Sequence, residues 1–202
     1  LKKYFIYLII SLFTFFENFA QEKFEGTIEF SIKTKNQKTK MVYSLKNDWE
    51  KIEIENLNAF TIVRDKKSIL LMPDTKKYMI LDEESSKMQN PLDLGKDKIL
   101  NKTGRSKEIL GYSCAEYYLE DENQKVILWA TEEFIEFPGF SGEGDEIGPY
   151  LGKEKFFPFL IIVEAFGNKM EMEITEINSK ALENSVFEIP EDYTEVNLPG
   201  KK

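Results

Sequence analysis

Apolar and polar residues alternate with period two along much of this chain, and that alternation sets the first expectation. Phe24, Gly26, Ile28, Phe30 and Ile32 fall on one side, and Glu25, Thr27, Glu29, Ser31 and Lys33 on the other, which predicts a half-buried strand. The same pattern returns in Met41, Tyr43 and Leu45, in Ile52 and Ile54 against Lys51, Glu53 and Glu55, and in Met170, Met172 and Ile174 against Glu171, Glu173 and Thr175. A second class of segment is apolar on both sides: Phe60 to Val63, Ile69 to Met72, Tyr78 to Leu81, Val126 to Trp129 and Pro158 to Phe166. Such runs predict strands covered on both faces or lining a cavity. The one-sided segments then read as outer strands and the two-sided ones as the middle of the sheet.

Turn signals separate these runs. Lys35 to Lys40, Asn47-Asp48, Asp65-Lys66-Lys67, Pro73-Asp74-Thr75, Asp121 to Gln124 and Gly167-Asn168 are short and polar. Tyr112 to Leu119 and Val126 to Trp129 make the clearest hairpin, with Gly104 and Gly111 marking bulges or tight turns before it. About ten strands with no βαβ rhythm predict a mainly β fold: one curved antiparallel sheet or half-barrel with one or two short covering helices or loops. Asp82 to Lys102 is a looser connection with one short helix near Ser86 or Leu92, and Thr131-Glu132-Glu133 can cap a helical turn. Phe137 to Phe157 carries five Gly and two Pro among scattered aromatics, so it is no long regular element. The tail from Tyr193 to Lys202 is expected to be loosely held.

Composition narrows the picture. Lys2 and Lys3 precede an apolar run from Tyr4 to Phe16, and Ala20 is followed by a jump in polarity at Gln21. This is a secretory signal pattern, although Asn18 stands where a small residue is usual. The run is short for a bilayer span of ~20 residues, which disfavours the alternative of an uncleaved anchor. Residues 21–202 then form a single domain, periplasmic or secreted, with a loose acidic, Gly-rich insert at 138–157. The net charge of −9 argues against nucleic acid and anionic lipid headgroups as partners. A single Cys, Cys114, cannot form an internal disulfide, and inside an apolar strand it reads as a buried filler.

Histidine is absent, which removes a Ser-His-Asp triad, a Cys-His pair and His-ligated zinc. Phosphate-cradling glycine motifs are absent too. Carboxylate chemistry needs only two acids across a cleft, but most acids here occupy alternate strand positions, where a solvated face accounts for them. Glu143 to Glu154 partly mimics a calcium loop. Ile147 stands where an oxygen ligand is required, and the flanking Pro138, Gly139 and Pro158 disfavour helices, so a solvated acidic loop is the better reading. The expectation is a non-enzyme without metal or cofactor.

The run TGRSKEILGYSC, a Tyr-rich strand, and LWATEEF resemble secreted bacterial proteins of domain-of-unknown-function family 4412. The resemblance rests on Thr103, Gly104, Lys107, Ile109, Gly111, Tyr112, Cys114 and Trp129, with FTIVRDKKSILLMPDTKKYMIL upstream and NSVFEIPEDY at the close. The related GLPGLI family shares the Gly-Tyr-x-Cys element, but its namesake motif is missing here. The resemblance implies a fold like the lipoprotein-carrier (LolA-like) proteins, a half-barrel over an apolar cavity. The family has no established activity, so it supplies no site residues.

Together these readings make a carrier or binder of an apolar small molecule, a lipid or acyl chain, the leading expectation. Its lining would be Ile62, Leu70, Ile127, Trp129 and Ile161 from two-sided strands, and Phe140, Tyr150, Phe156 and Phe157 from the insert and its border. Asp82 to Lys102 and Phe137 to Phe157 are the candidate covers, since a large bare apolar patch is rare on a soluble monomer. The alternative is a structural or interaction protein of the envelope with a solid core. The export reading predicts that N-terminal sequencing of protein from the envelope fraction finds Gln21; an intact, membrane-embedded Leu1 to Ala20 contradicts it.

Overall fold

The computed structural model describes residues 24–65, 67–81, 100–120, 122, 124–133 and 156–196. The proposed signal segment, most of both candidate covers, the helix near Ser86 or Leu92, and Phe140 and Tyr150 lie outside them. The described residues form one open, curved, mainly antiparallel sheet with almost no helix. Its first half is a meander: β1 (Gly26–Thr34), β2 (Lys38–Lys46), β3 (Trp49–Ile54), β4 (Phe60–Arg64), β5 (Lys67–Met72) and β6 (Lys77–Leu81). The second is another: β7 (Asn101–Ile109), β8 (Tyr112–Glu120), β9 (Gln124–Thr131), β10 (Phe157–Ala165) and β11 (Asn168–Ser179). β12 (Thr194–Glu195) adds a short parallel edge beside β6. The order β12-β6-β5-β4-β3-β2-β1-β11-β10-β9-β8-β7 joins the two meanders at a single seam, β1 against β11.

That order corrects the expected placement of the one-sided strands. β1 and β11 stand at the centre of the sheet, not at its margins. Their polar faces remain at water because an antiparallel sheet can be covered on one side only. Lys33 reaches Glu171 at 2.7 Å and Glu173 at 3.5 Å, and Lys40 reaches Glu29 at 2.6 Å. A polar stripe at the centre of a sheet therefore says which face is wet, not which strand is outermost.

Three apolar clusters lie against the sheet. The first comprises Leu100, Tyr117, Leu119, Val126, Leu128, Ala130, Phe156, Ile161 and Val163. The second straddles the seam and draws Ile28, Phe30, Tyr43 and Leu45 from one meander, and Cys114, Phe157, Phe159 and Ile174 from the other. The third is built on Ile62, Leu71 and Phe187. There the segment after β11 returns across β3 to β6, and Leu182, Val186, Ile189 and Tyr193 pack beside Phe187. This also corrects the expectation of a loose end at Tyr193. The Thr194 N–H donates to the Lys76 carbonyl at 2.9 Å and the Val196 N–H to the Tyr78 carbonyl at 2.8 Å.

Tight turns connect the strands. Leu110-Gly111 and Phe166-Gly167 have positive φ at both residues, as two-residue hairpin turns with right-handed twist require. Thr131 to Glu133 bends without entering a helix, and the Glu133 N–H donates to Thr131 Oγ1 at 3.2 Å. Bulges interrupt three ladders: at Thr175 where β11 meets β1, at Phe159 in β10, and between Lys102 and Ser106 in β7. The β10 bulge lets Phe157 and Phe159 serve the seam cluster while Ile161 and Val163 serve the first cluster.

Gly26 opens the seam with φ +150, and a Cβ there would lie 2.1 Å from the Asn178 carbonyl oxygen. Gly26→Ala is expected to lower the unfolding free energy by about 2 kcal/mol or more in urea denaturation, because backbone must shift. Gly167→Ala, where a Cβ would meet nothing within 4 Å, is expected to cost only about 1 kcal/mol for its left-handed backbone. Equal losses in the two variants would mean that the approach to Asn178 relaxes freely.

Cys114 is fully buried, and burial pushes its thiol up to about 11, with Lys107 pulling weakly the other way. Its neutral form is the protonated one. The stabilisation is therefore present below the ordinary thiol value of 9.0 and lost as pH rises from there through about 11. Native protein at neutral pH is expected to resist a bulky thiol reagent and to react only after denaturation; rapid native labelling contradicts this.

Candidate functional site

Two constellations stand out, on opposite faces of β8 and β9. Alternation along β8 sends Ala115, Tyr117 and Leu119 one way and Cys114, Glu116 and Tyr118 the other. Register then carries each set across the neighbouring strands.

The apolar face consists of two rows. Tyr117, Leu128, Ile161 and Met172 are successive cross-strand partners, and so are Leu119, Val126, Val163 and Met170. The second row continues through Met170 to Thr34 of β1. Phe156 stacks on Tyr117 at one end, with ring centroids 4.5 Å apart, and Leu100 packs beside them. At the other end the second row runs out into an open groove of about 360 Å³ between the β1–β2 and β10–β11 turns. It is lined by Thr34, Lys35, Asn36, Val163, Ala165, Asn168, Lys169 and Met170. Ala165 and Met170 are only partly buried there, so the apolar surface reaches solvent at this end.

The opposite face sets a buried carboxylate among apolar neighbours. Glu116 is 2% exposed. Its carboxylate accepts from Thr103 Oγ1 at 2.7 Å and pairs with the Arg105 guanidinium, which reaches in from β7 through the bulge. A buried carboxylate requires such partners. The Arg105 N–H also donates to Thr103 Oγ1 at 3.3 Å, and Lys107 Nζ lies 4.3 Å from the centroid of the Trp129 ring. Tyr112 meets Phe159 at 5.0 Å between centroids. Thr103, Gly104, Lys107 and Gly111 thus turn, bulge and fasten the β7–β8 edge, Ile109, Tyr112, Cys114 and Trp129 pack into or against the seam cluster, and Glu116 Oε2 is engaged by Thr103 and Arg105.

The anticipated lining residues divide among these places. Phe156 and Ile161 lie in the apolar face, Phe156 at the end away from the groove, and neither lines the groove. Ile127 and Trp129 sit on the other face of β9, where Trp129 pairs with Glu116 and Leu160. Phe157 belongs to the seam cluster, with its ring perpendicular to Phe159 at 5.7 Å. Ile62 is buried under Phe187 in the third cluster. Leu70 is half-buried on β5 between Thr61 and Met79. Tyr117, Leu119, Val126, Leu128, Val163 and Met170 were not singled out from the sequence. Period two in Tyr117-Leu119 against Tyr118 was their one signal, and the run Val126 to Trp129 obscured it by being apolar at every position.

Elsewhere, burial pushes the Glu50 carboxyl up, against the lowering effect of the Tyr43 hydroxyl that donates to it. Glu171 is held below its ordinary range, first by its hydrogen bond with Lys33. Among the described residues no three His, Cys, Asp or Glu side chains could together hold a metal ion; the loop Glu143 to Glu154 lies outside them.

The fold is similar to that of an uncharacterized conserved protein from Thermus thermophilus, with a TM-score of 0.54 and 9% identity over 86% of this chain and 91% of that one. At that identity the likeness is one of fold alone. PNGF-II matches with a TM-score of 0.48 and 12% identity over 86% of this chain, which spans only 31% of the PNGF-II chain. LprF from Mycobacterium bovis matches with a TM-score of 0.37 and 8% identity over 84% of this chain and 90% of that one. No curated protein matches the sequence. The family described as a domain of unknown function, DUF4412, matches residues 24–193. That match takes in every strand from β1 to β11, and the chain belongs to the DUF4412 family.

Proposed function

We propose that this protein is an exported, non-catalytic binder or carrier of an apolar ligand such as a lipid or acyl chain. The observation that carries the reading is the uninterrupted apolar row Leu119-Val126-Val163-Met170, which ends in the open groove beside a second apolar row, Tyr117-Leu128-Ile161-Met172. Neither row holds a charged side chain, and Met170 stays partly accessible between two turns. A groove of about 360 Å³ is at the lower end of the range for small-molecule sites. An acyl chain entering it gains ~0.8 kcal/mol per methylene buried, without needing a polar contact along its length. Export follows from the basic start, short apolar run and Ala20 of the first twenty residues. The non-catalytic part rests on the absence of His from the chain and on the engagement of Glu116 by Thr103 and Arg105.

All three clusters are already filled by their own side chains, with Ile28, Leu45, Phe157, Ile62 and Leu71 at 1% exposure or less, and likewise Val126 and Ile161 in the first. They favour the second reading, a solid-core envelope protein, should the groove bind nothing. The test is binding of a fluorescent stearate to delipidated protein, with mass spectrometry of the organic extract. Wild type is expected to bind, and Ala165→Trp, which fills the groove without adding charge, to weaken binding at least about tenfold while the circular dichroism melt is unchanged. Absence of binding in wild type and an empty extract would leave the solid-core reading.

A further inference from the structure

The rim of the groove carries charge of one sign. Lys35 on the β1–β2 turn and Lys169 at the start of β11 flank it, Asn36 and Asn168 add amides, and no acid lines it. This local sign runs against the chain's net charge of −9. Several lysines elsewhere are held by acids: Lys33 by Glu171 and Glu173, Lys40 by Glu29, Lys46 by Glu25 and Lys76 by Asp192. Lys35 makes no ion pair among the described residues. Lys169 stands opposite Glu164, 3.5 Å away between two exposed side chains, and near enough to Glu171 to help lower its carboxyl. The groove on the other side of the same hairpin is lined by Glu120, Glu122 and Glu164 as well as Lys125 and Lys169. The Phe166-Gly167 turn thus divides a mixed, acid-bearing groove from an apolar one with a cationic rim.

We propose that the ligand is a single-chain amphiphile with an anionic head, carboxylate or phosphate, whose head sits at Lys35 and Lys169 and whose chain follows Val163, Ala165 and Met170 toward the apolar rows. This rests on the apolar-ligand reading above and adds the head-group class and the direction in which the molecule lies. Headgroup attraction from two lysines exceeds the general repulsion of an acidic protein, because the lysines are close while the remaining charges are screened within roughly 10 Å at ordinary salt.

The experiment uses delipidated protein at neutral pH and three fluorescent probes: anthroyloxy-stearate, its uncharged methyl ester, and a labelled lysophosphatidic acid. Affinities are compared for wild type, the double variant Lys35→Glu/Lys169→Glu, and Lys125→Glu as a control in the neighbouring groove. At least one acidic probe is expected to bind about fivefold to tenfold more tightly than the ester, the scale of two exposed ion pairs. That preference is expected to vanish in the double variant and shrink with added salt, while ester affinity and the Lys125→Glu protein stay unchanged. Which acidic probe wins identifies the head as carboxylate or phosphate. Equal binding of acid and ester by wild type, or equal weakening of both in the double variant, overturns the head-group assignment and leaves the apolar site standing. If no probe binds, the apolar reading falls and this inference falls with it.

Discussion

Everything else in this sheet depends on the pairing of β1 with β11. Each meander is local: a strand, a short turn, the next strand. The seam joins the two meanders strand to strand across a long stretch of sequence, as in the contact of Lys33 with Glu171, 138 residues away. Closing so long a loop carries an entropic cost that must be met by contacts formed at the seam itself. The structure supplies them as a nine-residue register from Gly26 opposite Ser179 to Thr34 opposite Met170, and as a buried cluster drawn from both halves. At Gly26 an added Cβ would lie 2.1 Å from the Asn178 carbonyl oxygen, and the absence of a side chain there is a geometric requirement.

The same seam creates the groove. The β1–β2 turn and the β10–β11 turn belong to different meanders, and neither forms a cleft alone. Pairing Thr34 with Met170 sets Lys35 and Asn36 beside Asn168 and Lys169. A defect at Gly26 would therefore affect the two grooves unequally. The acid-bearing groove is lined entirely by β8 to β11 and their turns, whereas the apolar one needs residues from both sides.

Local features of the fold were legible in the sequence because their causes are local. Alternation located β1, β2, β3 and β11, and polar dipeptides or glycine located most turns. The central position of β1 and β11 was not legible, since wetness of one face is the same at the middle of an antiparallel sheet as at its edge. The facing of β9 was not legible either: Val126, Ile127, Leu128 and Trp129 are all apolar, and only the partners Tyr117 and Ile161 opposite Leu128 decide which pair looks toward the groove. In β10 the bulge at Phe159 changes the face partway along the strand, so no single parity describes Phe157 and Ile161 together. Lys35 reads as an ordinary turn residue and Lys169 as the start of a return strand, because their common address exists only after the seam has formed.

This separates what the family signature encodes from what the groove selects. The residues that carry the resemblance gather at the β7–β8 edge and on the Trp129 face of β9. There they supply a buried carboxylate with partners, a cation over an indole, and a tight turn. These are devices for fastening an edge strand, whose exposed length would otherwise invite pairing with another chain. The groove lies on the other face and at the far end, and its lysines come from the β1–β2 turn and the first residues of β11. A sheet organised in this way holds its architecture through one set of residues and lines its groove with another. Membership of the family therefore speaks for the sheet and its edge, and the groove is shaped by the residues that the seam brings together.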